Sequence, residues 1–145
     1  MTVLDASALI ALLLNEPARD EVAELFGRRP RPSVSAVNLE EVIDHLVRVK
    51  GRRADDVNDA VDLLLVTGLE VEPFWLPSAR RAAARRAVHY DRKTSSLSLA
   101  DCACLATAME LKADLATSDP ALAAAARAEG LKVIALPNSD GIRPA

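Results

Sequence analysis

Apolar residues fall along this chain in two kinds of run: very short ones, and longer ones that recur with the period of a helix. Val3-Leu4 is a short apolar start that meets Asp5, and Ser7 to Leu14 reads as a buried helix ending near Asn15. Glu16-Pro17 opens a second helix through Phe26, followed by a basic, proline-rich turn from Arg28 to Pro32. Ser33 to Ala36 reads as a strand. Asn38 then opens a helix whose apolar residues Leu39, Val42, Ile43 and Leu46 follow the i, i+3, i+4, i+7 spacing, with Gly51 as its stop. A helix over Ala54 to Val66 ends at Gly68, a strand covers Leu69 to Val71, and Pro77 starts an alanine- and arginine-rich helix to about Tyr90. After the polar loop Lys93 to Ser96 come an almost wholly apolar helix (Leu99 to Leu111), a strand (Leu115 to Thr117), a helix (Pro120 to Glu129) and a last strand (Lys132 to Leu136). Strands alternating with helices of this length predict a parallel sheet covered on both faces, a three-layer α/β/α domain. With no repeat, linker or low-complexity block, residues 1–145 read as a single domain.

Composition narrows this picture. A chain of 145 residues, half of them hydrophobic, can bury a core without staples. The net charge of −3 does not announce a nucleic-acid binder, so any phosphate contact must be local. Cys102 and Cys104 project about 200° apart on a helix and cannot bridge each other. Together with the distant His45 and His89 they lack zinc-site spacing, so both read as small buried residues in a reducing cytoplasm. The apolar N-terminus has no basic flank and no run reaches the roughly 18 apolar residues of a membrane span, so neither a signal peptide nor a membrane location is expected.

Four carboxylates carry the candidate chemistry. In a parallel sheet with right-handed crossovers every strand ends on one edge, where ligand sites form. Asp5 and Asp119 directly follow strands, while Glu41 and Asp101 lie in the first turns of helices that start at that edge. Helix capping explains each singly: Asn38 to Glu41 and Ser98 to Asp101 have capping-box form, and Asp119-Pro120 is a cap followed by proline. Two features oppose that reading. Asp5 is the only charged residue between Met1 and Asn15, and Asp101 the only one between Thr94 and Met109, so both acids are forced toward the interior edge without a cation nearby in sequence. Two carboxylates about 6 Å apart repel by roughly 3 kcal/mol at an effective dielectric near 20. A divalent ion removes that cost, and oxygen ligands favour Mg²⁺ or Mn²⁺ over zinc.

At these residues the sequence resembles the PIN domain, in particular the VapC-type toxins of bacterial toxin–antitoxin pairs. The segments that carry the resemblance are Val3 to Leu9, Ser35 to Val42, Leu97 to Ala103 and Leu115 to Leu122, in matching order and spacing. The resemblance implies a sheet ordered 3-2-1-4-5 and a Mg²⁺- or Mn²⁺-dependent endoribonuclease. It also implies a homodimer and inhibition by a VapB-type antitoxin, and it selects Glu41 over Glu40, which helical periodicity does not. The expected mechanism is hydrolysis of an RNA phosphodiester with Asp5, Glu41, Asp101 and Asp119 holding the metal, and with Ser7 and Thr117 supporting them by hydrogen bonds.

Arg81, Arg85, His89 and Arg92 fall on one side of the Pro77–Tyr90 helix and its end, as a phosphate track or as an ordinary solvated face. Leu12, Leu13, Val22, Leu25 and Phe26 are either core or a dimer or antitoxin surface. Two other functions compete: a PIN-like module that binds RNA or a partner without cutting it, and a receiver-like phosphoacceptor domain. The second would want an acidic pair after the first strand, where Asp5 stands alone.

Overall fold

The computed structural model describes residues 1–145. Five parallel strands form one sheet: β1 (Thr2–Leu4), β2 (Ser33–Ser35), β3 (Glu70–Glu72), β4 (Asp114–Thr117) and β5 (Val133–Ala135). They lie in the order β3-β2-β1-β4-β5, as the resemblance implies. The register pairs Val3 with both Ser33 and Leu115, and Ala116 with Ile134. The helices are α1 (Ala6–Leu14), α2 (Arg19–Phe26), α3 (Ala36–Asp44), α4 (Ala54–Thr67), α5 (Leu76–His89), α6 (Leu99–Leu111) and α7 (Pro120–Ala128), with a π-helical turn at His45–Val49 after α3.

Successive strand side chains point to opposite faces of a sheet. Leu4 and Ala116 accordingly enter a core built with α1, α2, α3 and α4, while Val3 and Leu115 enter a second core built with α5, α6 and α7. All four are fully buried, which fixes the central strands β1 and β4 in rotation and sets which residue emerges at their ends. Val22 and Leu25 belong to the first core, and Leu12, Leu13 and Phe26 pack against it half-buried, so that group is chiefly interior.

One boundary differs in a way that matters. α3 starts at Ala36 and not at Asn38, because the Ser35 hydroxyl accepts the Val37 amide at 3.3 Å and caps the helix two residues earlier than its apolar stripe suggests. Asn38 is therefore inside the first turn and wholly buried. α2 likewise begins at Arg19 and not at Glu16, since Asn15 closes α1 in the left-handed conformation and the Glu16 amide folds back on the Ala11 carbonyl.

Candidate active site

The carboxyl ends of β1 and β4, flanked by the starts of α3, α6 and α7, gather the predicted acids. Asp5 leaves β1 as its backbone amide pairs with the Ala116 carbonyl at 3.0 Å, and its side chain is only 3% exposed. It occupies the cap position of α1 but makes no side-chain cap bond, so capping does not explain it. Its Oδ2 accepts from the Ser7 hydroxyl at 2.7 Å and from the Thr117 hydroxyl at 2.9 Å, the supporting bonds expected of both residues. Its Oδ1 lies 3.5 Å from the Asn38 amide nitrogen, which donates more closely to the Ala100 carbonyl at 3.1 Å. All of these partners are neutral. Burial, followed by the Ser7 bond that pulls the other way and the charge of Asp101, leaves the Asp5 carboxyl pushed up to about 6.

Asp101 and Asp119 serve as helix caps and also face the crevice. Asp101 completes a capping box with Ser98: its Oδ2 accepts the Ser98 amide at 2.6 Å and the Ser98 hydroxyl accepts the Asp101 amide at 3.0 Å. Burial nevertheless raises its carboxyl, against the pull of Ser98 and with added repulsion from Asp119. Asp119 Oδ1 accepts the Leu122 amide at 2.7 Å ahead of Pro120, while its own amide donates to Thr117 Oγ1 at 2.9 Å. Thr117 thus links two of the acids.

Glu41 forms no capping box, since Asn38 is not a cap. Its carboxyl is half-buried whereas that of Glu40 is exposed, and its Oε2 is buried without any hydrogen-bond partner. Burial first, then the charges of Asp5 and Asp101, push it up to about 7, and the nearby Asn38 amide offsets only part of this. None of the four acids takes part in any of the protein's ion pairs. The side chains couple as charges, yet no three of them stand close enough to form a ready metal cage. The donor set fits a hard divalent cation all the same: oxygen ligands only, unbalanced negative charge, and one orphaned buried carboxylate oxygen.

The basic face of α5 is not gathered here. Arg81 pairs with Glu110 at 3.7 Å, and Arg85 and His89 pair with Glu129 at 3.0 and 2.6 Å. Glu129 closes α7 at the end opposite Asp119, about 15 Å along the helix at 1.5 Å per residue. Arg81, Arg85 and His89 are thus each tied to an acid at the closing end of α6 or α7; Arg81 is exposed, as are Ala83, Ala84 and Ala87, while Arg85 and His89 are half-buried. Arg92 differs, because it borders a groove that runs to Asp119. Sequence reasoning missed Asn38 as a component of the site. The signal was present in Ser35, a good cap placed where the strand ends, which turns Asn38 inward.

The PIN domain profile matches residues 2–134. No curated protein matches the sequence. Among solved structures the fold is similar to VapC20 of Mycobacterium tuberculosis, described as a sarcin–ricin loop cleaving toxin, with a TM-score of 0.69, 22% identity, and coverage of 86% of this chain and 95% of that one. It is also similar to VapBC2 from Rickettsia felis bound to a DNA fragment of its promoter (TM-score 0.70, 16% identity, 91% and 96% covered). A third is DNA-bound VapBC from Salmonella typhimurium (TM-score 0.65, 21% identity, 91% and 95% covered). The profile runs almost from end to end and the strand order is the one the resemblance implied, so the chain belongs to the PIN domain family.

Proposed function

We propose that residues 1–145 act as one Mg²⁺- or Mn²⁺-dependent endoribonuclease domain that cuts RNA phosphodiesters as the toxin of a toxin–antitoxin pair. The observation that carries this reading is the group of Asp5, Glu41, Asp101 and Asp119, mutually repelling at one sheet edge with no cation matched to any of them. A divalent ion bound there would supply an activated water and offset charge on the phosphate. Asp5, Asp101 and Asp119 would hold it, and the Ser7 and Thr117 hydroxyls fix Asp5 Oδ2 so that the carboxylate keeps one orientation. Glu41, whose Oε2 has no partner within the chain, would accept the proton of the attacking water as its oxygen adds to phosphorus and the ester bond on the far side breaks, the leaving oxygen taking a proton from solvent.

Solved neighbours whose descriptions name VapBC complexes support a reading of the partners. We assign a VapB-type antitoxin and a homodimer. Exposed Leu63, Val66, Trp75 and Leu76 supply apolar surface that a second chain would cover. No helix is long and apolar enough to cross a membrane, and both cysteines are free and buried, which suits action in the cytoplasm. The test is mapping of new RNA ends after incubating the purified protein with total cellular RNA, with Mg²⁺ or Mn²⁺, with EDTA, and with Asp5→Asn. Discrete metal-dependent cuts absent from the variant are expected. No cuts from folded protein across several RNA sources would favour the non-catalytic binding module.

A further inference from the structure

The loop between α5 and α6 is a closed ring. Asp91 and Ser95 exchange both backbone hydrogen bonds at 2.9 Å, and inside that ring Asp91 Oδ1 accepts the amides of Lys93 and Thr94 at 2.8 and 2.9 Å. Those amides, acting before any other influence, hold the Asp91 carboxyl below its ordinary range. Arg86 clamps both flanks: its Nε donates to the Leu97 carbonyl at 3.2 Å and its guanidinium stacks 4.3 Å from the Tyr90 ring centroid. Leu97 itself is fully buried and anchors the loop in the second core. A long polar surface loop usually stays mobile; this one is preorganised.

What it presents is also specific. Arg92, Lys93 and Thr94 form one wall of a groove of about 400 Å³ whose other wall is Asp119, Ala121 and Ala124 at the start of α7. Arg92 and Lys93 are exposed and enter no ion pair, whereas Arg81 and Arg85 on the preceding helix α5 are each matched to an acid. In a chain of net charge −3, two adjacent exposed cations on a loop whose backbone is fixed by its own hydrogen bonds, facing Asp119 across one groove, are suited to meet a polyanion.

We propose that the Asp91–Ser95 ring is the arm that grips the RNA backbone beside the bond to be cut, so that the strand enters on the β4–α7 side of the crevice. This rests on the nuclease reading. Arg92 and Lys93 contact phosphate, and Asp91 is a positioning residue that never touches RNA. Its acid is present for its acceptor oxygen, so removing it weakens binding even though a negative charge is lost.

The test is fluorescence anisotropy of a labelled single-stranded RNA oligonucleotide of mixed sequence with the full chain, Ca²⁺ replacing Mg²⁺, across a salt series, with thermal melts confirming each variant is folded. Arg92→Ala/Lys93→Ala is expected to raise Kd about 10-fold and to flatten the slope of log K against log salt by roughly 1.4, two contacts at about 0.7 each. Asp91→Ala is expected to raise Kd about 3-fold, and Asp91→Asn, which keeps a carbonyl for the two amides, to bind like the wild type. An unchanged Kd and slope in the double variant, from a protein whose wild type still cuts RNA with metal, overturns the arm and leaves the nuclease. Tighter binding by Asp91→Ala overturns the positioning role, since only charge would then matter. A wild type that neither binds nor cuts RNA overturns the nuclease reading and the arm with it.

Discussion

Helices α6 and α7 carry acids at both ends, and the two ends treat them differently. At the closing ends, Glu110 accepts Ser78 at 3.0 Å with Arg81 beside it, and Glu129 takes Arg85 and His89. The His89 contact, more than any other influence, holds the Glu129 carboxyl below its ordinary range. At the opening ends, Asp101 and Asp119 have only backbone amides and hydroxyls for company, and the carboxyls of Asp101, Asp5 and Glu41 all move upward. Counting acids would not separate the two regions. Matching them to cations does, because a matched carboxylate favours its own ionised state whereas a buried unmatched one opposes it. The closing ends are fastenings; the opening ends leave their acids without a cation.

The sharpest break in that comparison is Asp5→Asn. Removing one acid from the unmatched set should cut RNA cleavage by at least about 10³-fold, a loss on the scale of deleting a principal electrostatic contributor. The same change should raise the melting temperature of metal-free protein at alkaline pH, because it removes a buried charge. Thermal melts with EDTA check the second half, and a variant less stable than wild type there would mean Asp5 is structural.

The pH dependence of metal-free stability comes next. A carboxyl raised in the folded state favours folding at pH values below its unfolded value and loses that contribution as pH rises through its folded value. For Asp5 the window runs from about 4 to about 6, and for Glu41 it extends to about 7. For the fully buried Asp5 alone this amounts to about 3 kcal/mol. Urea melts should therefore show stability falling between those limits in EDTA, with Mg²⁺ or Mn²⁺ restoring most at the alkaline end. A flat profile would mean the acids are far better solvated than their burial implies.

Smaller effects come from the matched region. Arg85→Ala should cost about 1–2 kcal/mol, between an exposed and a buried pair, and should leave the rate of RNA cleavage unchanged. Arg81→Ala, whose pair with Glu110 is longer and wetter, should cost under about 0.5 kcal/mol in the same urea titration. A large cleavage defect in either variant would return the α5 arginines to the RNA track.

The acidic partners of the α5 arginines were not legible in the sequence, and the reason is physical. Helical spacing correctly put Arg81, Arg85 and His89 on one face, but their partners Glu110 and Glu129 lie 29 to 44 residues away in sequence. Only the docking of α5 on α6 and α7 brings them together. Asp5 and Asp101 were legible for the converse reason, being lone charges in apolar stretches that leave no local partner. Strand order and layers followed from alternation together with the resemblance. Asn38 was hidden by a boundary error of two residues, small in length but enough to move a side chain from cap to interior.

The most direct test of the central claim is calorimetric titration of Mn²⁺ into wild type, Asp5→Asn and Glu129→Gln at mildly alkaline pH. Saturable binding in wild type and Glu129→Gln, lost in Asp5→Asn, is the expected result. Equal binding in Asp5→Asn and wild type would contradict the claim, because the unmatched acids would then not be the ones that hold the ion.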